Sequence, residues 1–194
     1  MMDLLSKIPE IGSMEIHERY RQLAREYLAD RALILKADAY NEASGGMRSL
    51  EDTPLGGDGT VYLEYDAGIV ATAKRKYPGK VIIRGDIRYP PFRSGTFDAV
   101  ADFSTLDHVP PEQMVQTIRE YARCLKPRGQ FILTLWCDPV GRGTTDSKQY
   151  HWPGGLDSLW RAVLPVFPVS LWLTWLGQRD GFYMAELVAD KWTS

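Results

Sequence analysis

The fold is decided by residues 81–108, which read VIIRGDIRYPPFRSGTFDAVADFSTLDH. This stretch contains two short apolar runs, 81–83 and 97–103, and polar residues follow each of them. Runs of this length, bounded by turn residues, are typical of strands whose two faces are both buried in a parallel sheet. The stretch therefore predicts two strands of one buried sheet.

Strands and helices alternate on both sides of this stretch. Similar apolar runs predict four further strands, at 32–35, 61–63, 131–136 and 182–189. Apolar side chains at three- and four-residue spacing predict helices at 16–29, 69–77 and 112–125. Ser13 is placed to cap the first helix, and Pro110 and Pro111 precede the last. This alternation predicts an α/β fold with a single Rossmann-like, doubly wound, mainly parallel sheet and helices on both faces.

Length and charge narrow the range of functions. A chain of 194 residues suits one domain with its own core. With 23 Lys and Arg against 25 Asp and Glu, the net charge of −2 provides no positive field for nucleic acid, so no such partner is expected. Cys124 and Cys137 cannot form a disulfide framework, and no metal site is predicted. The first ten residues lack a signal-peptide pattern, which predicts a cytoplasmic location.

Ligands in an open parallel sheet bind beyond the carboxyl ends of the strands. The polar residues found there are Lys36, Asp38, Asn41, Glu42, Glu64, Asp86, Asp102, Ser104 and Thr105. Glu64 lies 22 residues beyond Glu42. A carboxylate at a spacing of roughly 20 residues holds a ribose diol in such folds. The sequence therefore predicts a cofactor that carries adenosine.

Several motifs occur in an order and spacing that resemble the class I S-adenosylmethionine-dependent methyltransferases. They are Glu64 with the helix at 69–77, GDIRYPPF at 85–92, GTFDAV at 95–100, STLDH at 104–108 and LKPRG at 125–129. The resemblance covers about residues 33–136. It implies one domain with an N-terminal helix over 1–30, a cofactor-binding core over 32–137, and a C-terminal cap or acceptor region over 138–194.

The resemblance implies S-adenosylmethionine as the cofactor and assigns residues to its adenosine part. Glu64 would bind the ribose hydroxyls, and Tyr65 would lie against the adenine. Asp86 would accept a hydrogen bond from the exocyclic amine of adenine, with the backbone of Ile87 beside it.

The segment after the fourth strand would lie near the transferable methyl group. Asp102, Phe103 and Ser104 would line the pocket there. His108, beside Asp107, is a candidate general base because imidazole titrates near neutrality. Methyl transfer does not require a base, since alignment of donor and acceptor supplies much of the acceleration.

The first strand departs from the family pattern. The family usually carries a glycine-rich acidic loop after this strand, whereas residues 36–46 read KADAYNEASGG. A turn without glycine keeps the backbone farther from a ligand. Asp38, Asn41 and Glu42 are then the side chains expected to hold the methionine ammonium and carboxylate, with Lys36 as a further candidate cofactor contact.

All six tryptophans lie in the last third of the chain, at Trp136, Trp152, Trp160, Trp172, Trp175 and Trp192. Residues 158–177 follow the fifth strand, where the family commonly elaborates its acceptor site. This Trp-rich C-terminal cap is open to four interpretations: ordinary core, an aromatic acceptor pocket, a peripheral membrane patch or a homodimer interface.

The predicted function is S-adenosylmethionine-dependent methyl transfer, by direct displacement, to a small-molecule or lipid-like acceptor. The alternative is a non-catalytic methyltransferase-fold protein that serves as a binding or subunit partner. The atypical loop at 36–46 keeps that alternative open.

Overall fold

The computed structural model describes residues 5, 7–45, 50–139, 149–167 and 170–191, the side chain of Ser170 excepted. Its strands are β1 (Ile34–Ala37), β2 (Thr60–Glu64), β3 (Val81–Arg84), β4 (Phe97–Phe103), β5 (Leu125–Asp138), β6 (Trp152–Pro153), β7 (Ser170–Arg179) and β8 (Phe182–Asp190). Its helices are α1 (Ser13–Leu28), α2 (Tyr40–Ser44), α3 (Ala67–Lys76), α4 (Pro111–Cys124) and α5 (Leu156–Val163). Two 3₁₀ turns, Pro54–Gly56 and Leu106–His108, complete the described elements.

The strands form one eight-stranded sheet in the order β3-β2-β1-β4-β5-β8-β7, with the short β6 paired to β5. β1 lies parallel to both β2 and β4, whereas β8 runs antiparallel to β5 and β7. The strand order reverses between β1 and β4, which creates the crevice where ligands bind in such sheets. The predicted α/β fold with a Rossmann-like, mainly parallel sheet is confirmed.

Helices cover both faces of the sheet, and consecutive residues of β1 show why. Ile34 belongs to the buried cluster that contains Leu23 of α1, whereas Leu35 belongs to the cluster that contains Ile118 of α4. Adjacent side chains of a strand point to opposite faces, so a central strand covered on both sides is apolar at successive positions. The continuous apolar runs in the sequence reflect this burial on two sides.

Two predicted boundaries are corrected. The first strand begins at Ile34 rather than at residue 32, and the N–H of Leu33 donates to the side chain of Asp98 in β4 at 3.0 Å instead of to a backbone carbonyl. Lys36 therefore lies within β1 and not after it. Ser13 is the first residue of α1 and not its cap, since the preceding Gly12 N–H donates to the Glu15 carboxylate at 2.5 Å.

The C-terminal segment extends the sheet instead of forming a cap. β7 and β8 form an antiparallel hairpin across Asp180 and Gly181, whose φ angles are 53° and 79°. Two positive φ angles are characteristic of the tight turn that an Asp-Gly pair favours. The predicted strand at 182–189 corresponds to β8, whereas β7 falls in a segment that carried no strand prediction.

The five tryptophans in the described part of the chain differ in their burial. Trp136 and Trp152 are buried, Trp175 is half-buried, and the exposed fractions of Trp160 and Trp172 are 39% and 47%. The remaining one, Trp192, lies outside the described residues. Across the described ranges, no helix has the length and apolar character that crossing a bilayer requires.

The segment that precedes α1 is hydrogen-bonded to the edge of the sheet. The N–H of Ile11 donates to the carbonyl of Gln178 in β7 at 2.9 Å, and the N–H of Gln178 donates to the carbonyl of Pro9 at 2.8 Å. Gly177 allows this close approach, because a Cβ there would lie 2.6 Å from the Cβ of Ile11. These contacts place the start of α1 beside the end of β7.

A second link joins α1 to the sheet. Arg19 donates from Nε and one terminal nitrogen to the two carboxylate oxygens of Glu186 in β8, at 2.7 and 2.6 Å. The side chain of Glu186 is 1% exposed and that of Arg19 is 25% exposed. A bidentate pair of this kind is strong, and either partner alone would be a costly buried or half-buried charge.

We expect Arg19→Met to lower the free energy of unfolding by about 3 kcal/mol, because it leaves the Glu186 carboxylate buried without its cation. Urea unfolding measures the loss. The double variant Arg19→Met with Glu186→Leu should recover most of it, since no unpaired charge remains. As a matched control on the same helix, Arg25→Met removes an exposed pair with Asp52 and should cost less than about 1 kcal/mol. Equal losses from Arg19→Met and Arg25→Met would contradict this account.

Candidate functional site

A cavity of about 930 Å³ follows the carboxyl ends of the parallel strands. Going across the sheet, it is lined by Asp86 after β3, Glu64 of β2, Asp38 after β1 and Ser104 after β4. It continues past Trp136 of β5 to β8 and β7. Neighbouring strands lie about 4.8 Å apart. The side chains at the strand ends therefore follow one another along the cavity in the order of the strands.

Glu64 is a buried carboxylate held by two backbone donors. The N–H of Ala39 donates to its Oε2 at 2.9 Å, and the N–H of Asp66 donates to its Oε1 at 2.8 Å. Burial raises the pKa of Glu64, and these two hydrogen bonds oppose that shift. Each oxygen keeps capacity to accept from the cavity, which suits two adjacent hydroxyl groups.

Asp86 is clamped by Arg88. The Arg88 side chain donates to both carboxylate oxygens of Asp86, with its shortest contact at 2.6 Å, and this hydrogen bonding is the main reason why the pKa of Asp86 is lowered. Ile87 is buried beside it and Tyr65 is exposed at the rim, and both line the cavity. The structure thus brings Glu64, Tyr65, Asp86 and Ile87 to one end of the cavity.

Asp38 adopts a backbone conformation that glycine favours, although it carries a charged side chain. Its φ of 66° lies in the left-handed region that glycine favours and that Asp tolerates. Its carboxylate accepts from Lys36 Nζ at 3.0 Å, from the N–H of Tyr40 at 3.1 Å and from the Thr105 hydroxyl. Asp38 and the buried Asn41 both line the cavity, so this loop turns towards the ligand space without a glycine at the turn.

Lys36 and Glu42 do not line the cavity, which corrects their assignment as direct cofactor contacts. Lys36 is 0% exposed, and its Nζ lies 3.2 Å from Oε2 of Glu42, which is 1% exposed. Burial alone lowers the pKa of Lys36, but the carboxylates of Asp38 and Glu42 outweigh it, and the net shift is upward. Lys36 therefore holds Asp38 in place from beneath the site, and Glu42 pairs with Lys36.

The assignment of Asp102 to the pocket lining is also corrected, since Asp102 is 0% exposed and does not line the cavity. Its carboxylate accepts from the N–H groups of Thr105 and Leu106, at 2.8 and 3.2 Å, and from the Tyr121 hydroxyl at 2.7 Å. Burial raises the pKa of Asp102 to about 6 against these hydrogen bonds. Asp102 orders the turn that presents Ser104, while Phe103 and Ser104 themselves line the cavity.

The side chains of Asp107 and His108 lie in different environments, one buried and one exposed. Asp107 is 0% exposed, accepts from the N–H of Trp136 at 2.9 Å, and has its pKa raised by burial. His108 is exposed and lines the cavity. No hydrogen bond joins the two side chains within the described ranges, and of these two candidates only His108 lines the cavity.

Sequence reasoning missed the wall supplied by α1. Ile16, His17 and Tyr20 line the cavity, and the Tyr20 hydroxyl lies 2.8 Å from Oγ of Ser104. Tyr20 also stacks on Phe103, with ring centroids 4.8 Å apart. The available signal was the helical spacing that placed Tyr20 on the buried face, although that spacing did not show which part of the sheet it would meet.

The far end of the cavity is formed by Trp136, Gln149, Tyr150, Arg179 and Met184. No described residue of 158–177 lines it. The interpretation of that segment as an aromatic acceptor pocket is therefore corrected: its chain is used for α5 and β7, and α1 takes the place beside the ligand space.

Residues 43–133 match a family model described as a methyltransferase domain. A demethylmenaquinone methyltransferase from Beutenbergia cavernae is 31% identical over 97 residues, which is 50% of this chain and 40% of that protein. The chain therefore spans less than half the length of this curated relative.

Solved structures share the fold at low sequence identity. The cyclase SpnF is 14% identical with a TM-score of 0.70, covering 91% of this chain and 81% of its own. The 1,6-didemethyltoxoflavin-N1-methyltransferase of Burkholderia thailandensis, whose structure has 1,6-didemethyltoxoflavin and S-adenosylhomocysteine bound, is 13% identical with a TM-score of 0.66 over 93% and 80% of the two chains. The family match and the curated relative support the resemblance to class I S-adenosylmethionine-dependent methyltransferases, and the solved structures show the shared fold.

The raised pKa of Asp102 predicts a specific pH dependence of stability. The folded state keeps the proton above the unfolded pKa of about 3.9, so this contribution is complete below that pH and is lost as pH rises through about 6. The loss amounts to about 3 kcal/mol. Asp102→Asn has no such proton, so its stability relative to the wild type should improve by that amount between about pH 4 and 7. Urea unfolding across this range measures the difference, and a difference that does not change with pH would contradict the assignment.

Proposed function

We propose that this chain binds S-adenosylmethionine in the cavity and transfers its methyl group to a small-molecule or lipid-like acceptor by direct displacement. The arrangement of Glu64 is the observation that carries the proposal. Its buried carboxylate is fixed by two backbone N–H groups and still presents acceptor capacity to the cavity, as a ribose diol requires.

The residues on either side of Glu64 fit the rest of an adenosine cofactor. Ile87 supplies a buried apolar surface and Tyr65 an exposed ring, which suit the two faces of an adenine. The Asp86 carboxylate, held ionised by Arg88, is the acceptor placed for the exocyclic amine, which would take the place of one of the hydrogen bonds that Arg88 donates to both of its oxygens.

The methionine part would lie between β1 and β4. Asp38 and Asn41 line this part of the cavity, and Ser104 and Thr105 face it from the other side. The carboxylate of Asp38 suits an ammonium group, because Lys36 neutralises only part of the charge of Asp38 and Glu42 together. The chain therefore offers a negatively charged surface for a cationic ligand at this point.

S-adenosylmethionine, when bound, would supply a methyl group on a sulfonium: the acceptor's nucleophilic atom would bond to the methyl carbon as the carbon–sulfur bond breaks, and the electron pair of that bond would leave with the sulfur. The contribution of this chain is to align the acceptor and to exclude water. His108, exposed at the cavity wall, is the side chain placed to accept a proton from an acceptor that is not already ionised. The similarity to a demethylmenaquinone methyltransferase supports a small or lipid-like acceptor.

Glu64→Gln should weaken the binding of S-adenosylmethionine at least about tenfold, because one acceptor oxygen becomes a donor that faces the hydroxyls. Isothermal titration calorimetry measures the affinity, and circular dichroism checks that the variant is folded. Glu112→Gln, at an exposed carboxylate in the first turn of α4, is the matched control and should bind normally. Unchanged affinity in Glu64→Gln would show that the ribose site lies elsewhere.

The same titrations, together with a methyl-transfer assay, distinguish an enzyme from a protein that only binds the cofactor. We expect the wild type to bind both S-adenosylmethionine and S-adenosylhomocysteine, since both carry the adenosine that the Glu64 end recognises. Failure to bind either compound would rule out the proposed function. Methyl transfer is tested with tritiated cofactor against a broad panel of acceptors. Binding without transfer would favour the non-catalytic alternative, to which the atypical loop around Lys36 also points.

A further inference from the structure

We propose that the acceptor is a planar aromatic compound carrying a carboxylate, and that Arg179 binds that carboxylate. This inference rests on the proposed function, because it concerns the part of the same cavity that the cofactor would leave open. It goes further by naming the acceptor class and the residue that selects it.

Charge is distributed unequally along the cavity. The four carboxylates of its described lining are Asp38, Glu64, Asp66 and Asp86, and all follow or end the strands β1, β2 and β3. Beyond β4, the described lining contains no carboxylate; it contains the guanidinium of Arg179 and the imidazoles of His17 and His108. The cofactor end thus suits hydroxyl, amine and cationic groups, whereas the far end suits an anion.

The guanidinium of Arg179 is positioned but not neutralised. It lies 5.0 Å from the ring centroid of Trp136, and it donates to Oγ of Ser13 at 3.2 Å. Within the described ranges no carboxylate lies at ion-pair distance from it, whereas Arg88, the other guanidinium of the lining, is engaged by Asp86 at 2.6 Å. A guanidinium has five donors in a planar fork, so Arg179 keeps enough of them to bind a carboxylate with two hydrogen bonds.

The backbone on both sides of Arg179 is held in place, by hydrogen bonds before it and by a tight turn after it. Its neighbour Gln178 is hydrogen-bonded through its N–H and its carbonyl to the segment before α1, and its side chain donates to the carbonyl of Ile8 at 2.8 Å. The tight turn at Asp180 and Gly181 follows directly. A donor fixed in advance loses little entropy when a ligand binds, which favours selective recognition.

The walls at this end are flat and aromatic. Tyr20 lies over Phe103, His17 meets Tyr20 edge-on with ring centroids 5.5 Å apart, and the ring of Trp136 lies under Arg179. Ile16 adds an apolar surface. Aromatic walls favour an aromatic ligand over an aliphatic one of similar size, since offset and edge-to-face contacts add to the burial of apolar area.

The order of the strands places the two ends of such an acceptor. Ser104 follows β4 and Arg179 ends β7, and these strands are three positions apart in the sheet, about 14 Å. An aromatic acid bound by the Arg179 side chain would therefore extend its opposite edge towards Ser104, where the methyl group is expected. The nucleophilic atom should accordingly be a ring substituent remote from the carboxylate.

Calorimetry on the full chain saturated with S-adenosylhomocysteine tests this inference. The probes are 4-hydroxybenzoate and 6-hydroxy-2-naphthoate, their neutral amides, and 4-hydroxycyclohexanecarboxylate as the non-aromatic acid. We expect at least one aromatic acid to bind about tenfold more tightly than its amide and than the cyclohexane acid. Equal binding of acid and amide, or no binding of either aromatic acid, would overturn the proposal.

Variants connect the preference to Arg179. Arg179→Met keeps a long apolar stem over Trp136 but removes the charge, so the preference for acid over amide should disappear. Arg179→Lys keeps a charge without the planar fork and should be intermediate. Arg161→Met, at an exposed residue of α5 outside the cavity lining, is the matched control. A preference that survives in Arg179→Met would assign the anion site to another group.

The outcomes also separate this inference from the proposed function. Normal binding of S-adenosylhomocysteine by wild type and Arg179→Met, without any preference for aromatic acids, would overturn the acceptor assignment alone. Failure of the wild type to bind S-adenosylhomocysteine would overturn the proposed function. The acid and amide titrations without cofactor would then still show whether Arg179 binds a carboxylate.

Discussion

The buried ammonium of Lys36 is the constraint on which the candidate site depends. A lysine inside the central strand has no access to water, so it must be compensated within the protein, and Asp38 and Glu42 supply the charge. This requirement holds Asp38 in a left-handed conformation and places its carboxylate between the sheet and the cavity. The chain thus achieves with an ion-paired side chain the turn that glycine usually provides.

The other half of the cavity depends on how α1 is attached. Hydrogen bonds between the segment before α1 and β7, together with the Arg19–Glu186 pair, join the helix to strands that are far away in sequence. Because of this attachment, Tyr20 reaches Ser104 and the guanidinium of Arg179 lies beside Ser13. The end of the cavity at β1 to β3 is built from successive βα units, whereas its far end is assembled from α1 and the β7–β8 hairpin, which are far apart in sequence.

Prediction from the sequence succeeded where the chemistry is local to a strand end. Glu64 and Asp86 directly follow or end their strands, so the alternation of strands and helices was enough to place them at one edge. It failed for Lys36, because β1 continues to Ala37 instead of ending at residue 35, and for Asp102, because this residue lies inside β4 with its side chain in the core. Pairing with neighbouring strands sets that boundary, and composition does not reveal it.

The sequence by itself determined the α/β class, the mainly parallel sheet and the strand-end acids, because periodicity and turn residues report on burial and local geometry. The tertiary structure alone decided that β7 adds to the sheet edge, that α1 closes the cavity, and that the described residues of 158–177 do not line it. It also decided which charges are compensated: Arg88 by Asp86, Lys36 by Asp38 and Glu42, and Arg179 by no carboxylate in the described part of the chain. Such pairings depend on distances across the sheet, which no local pattern of residues encodes.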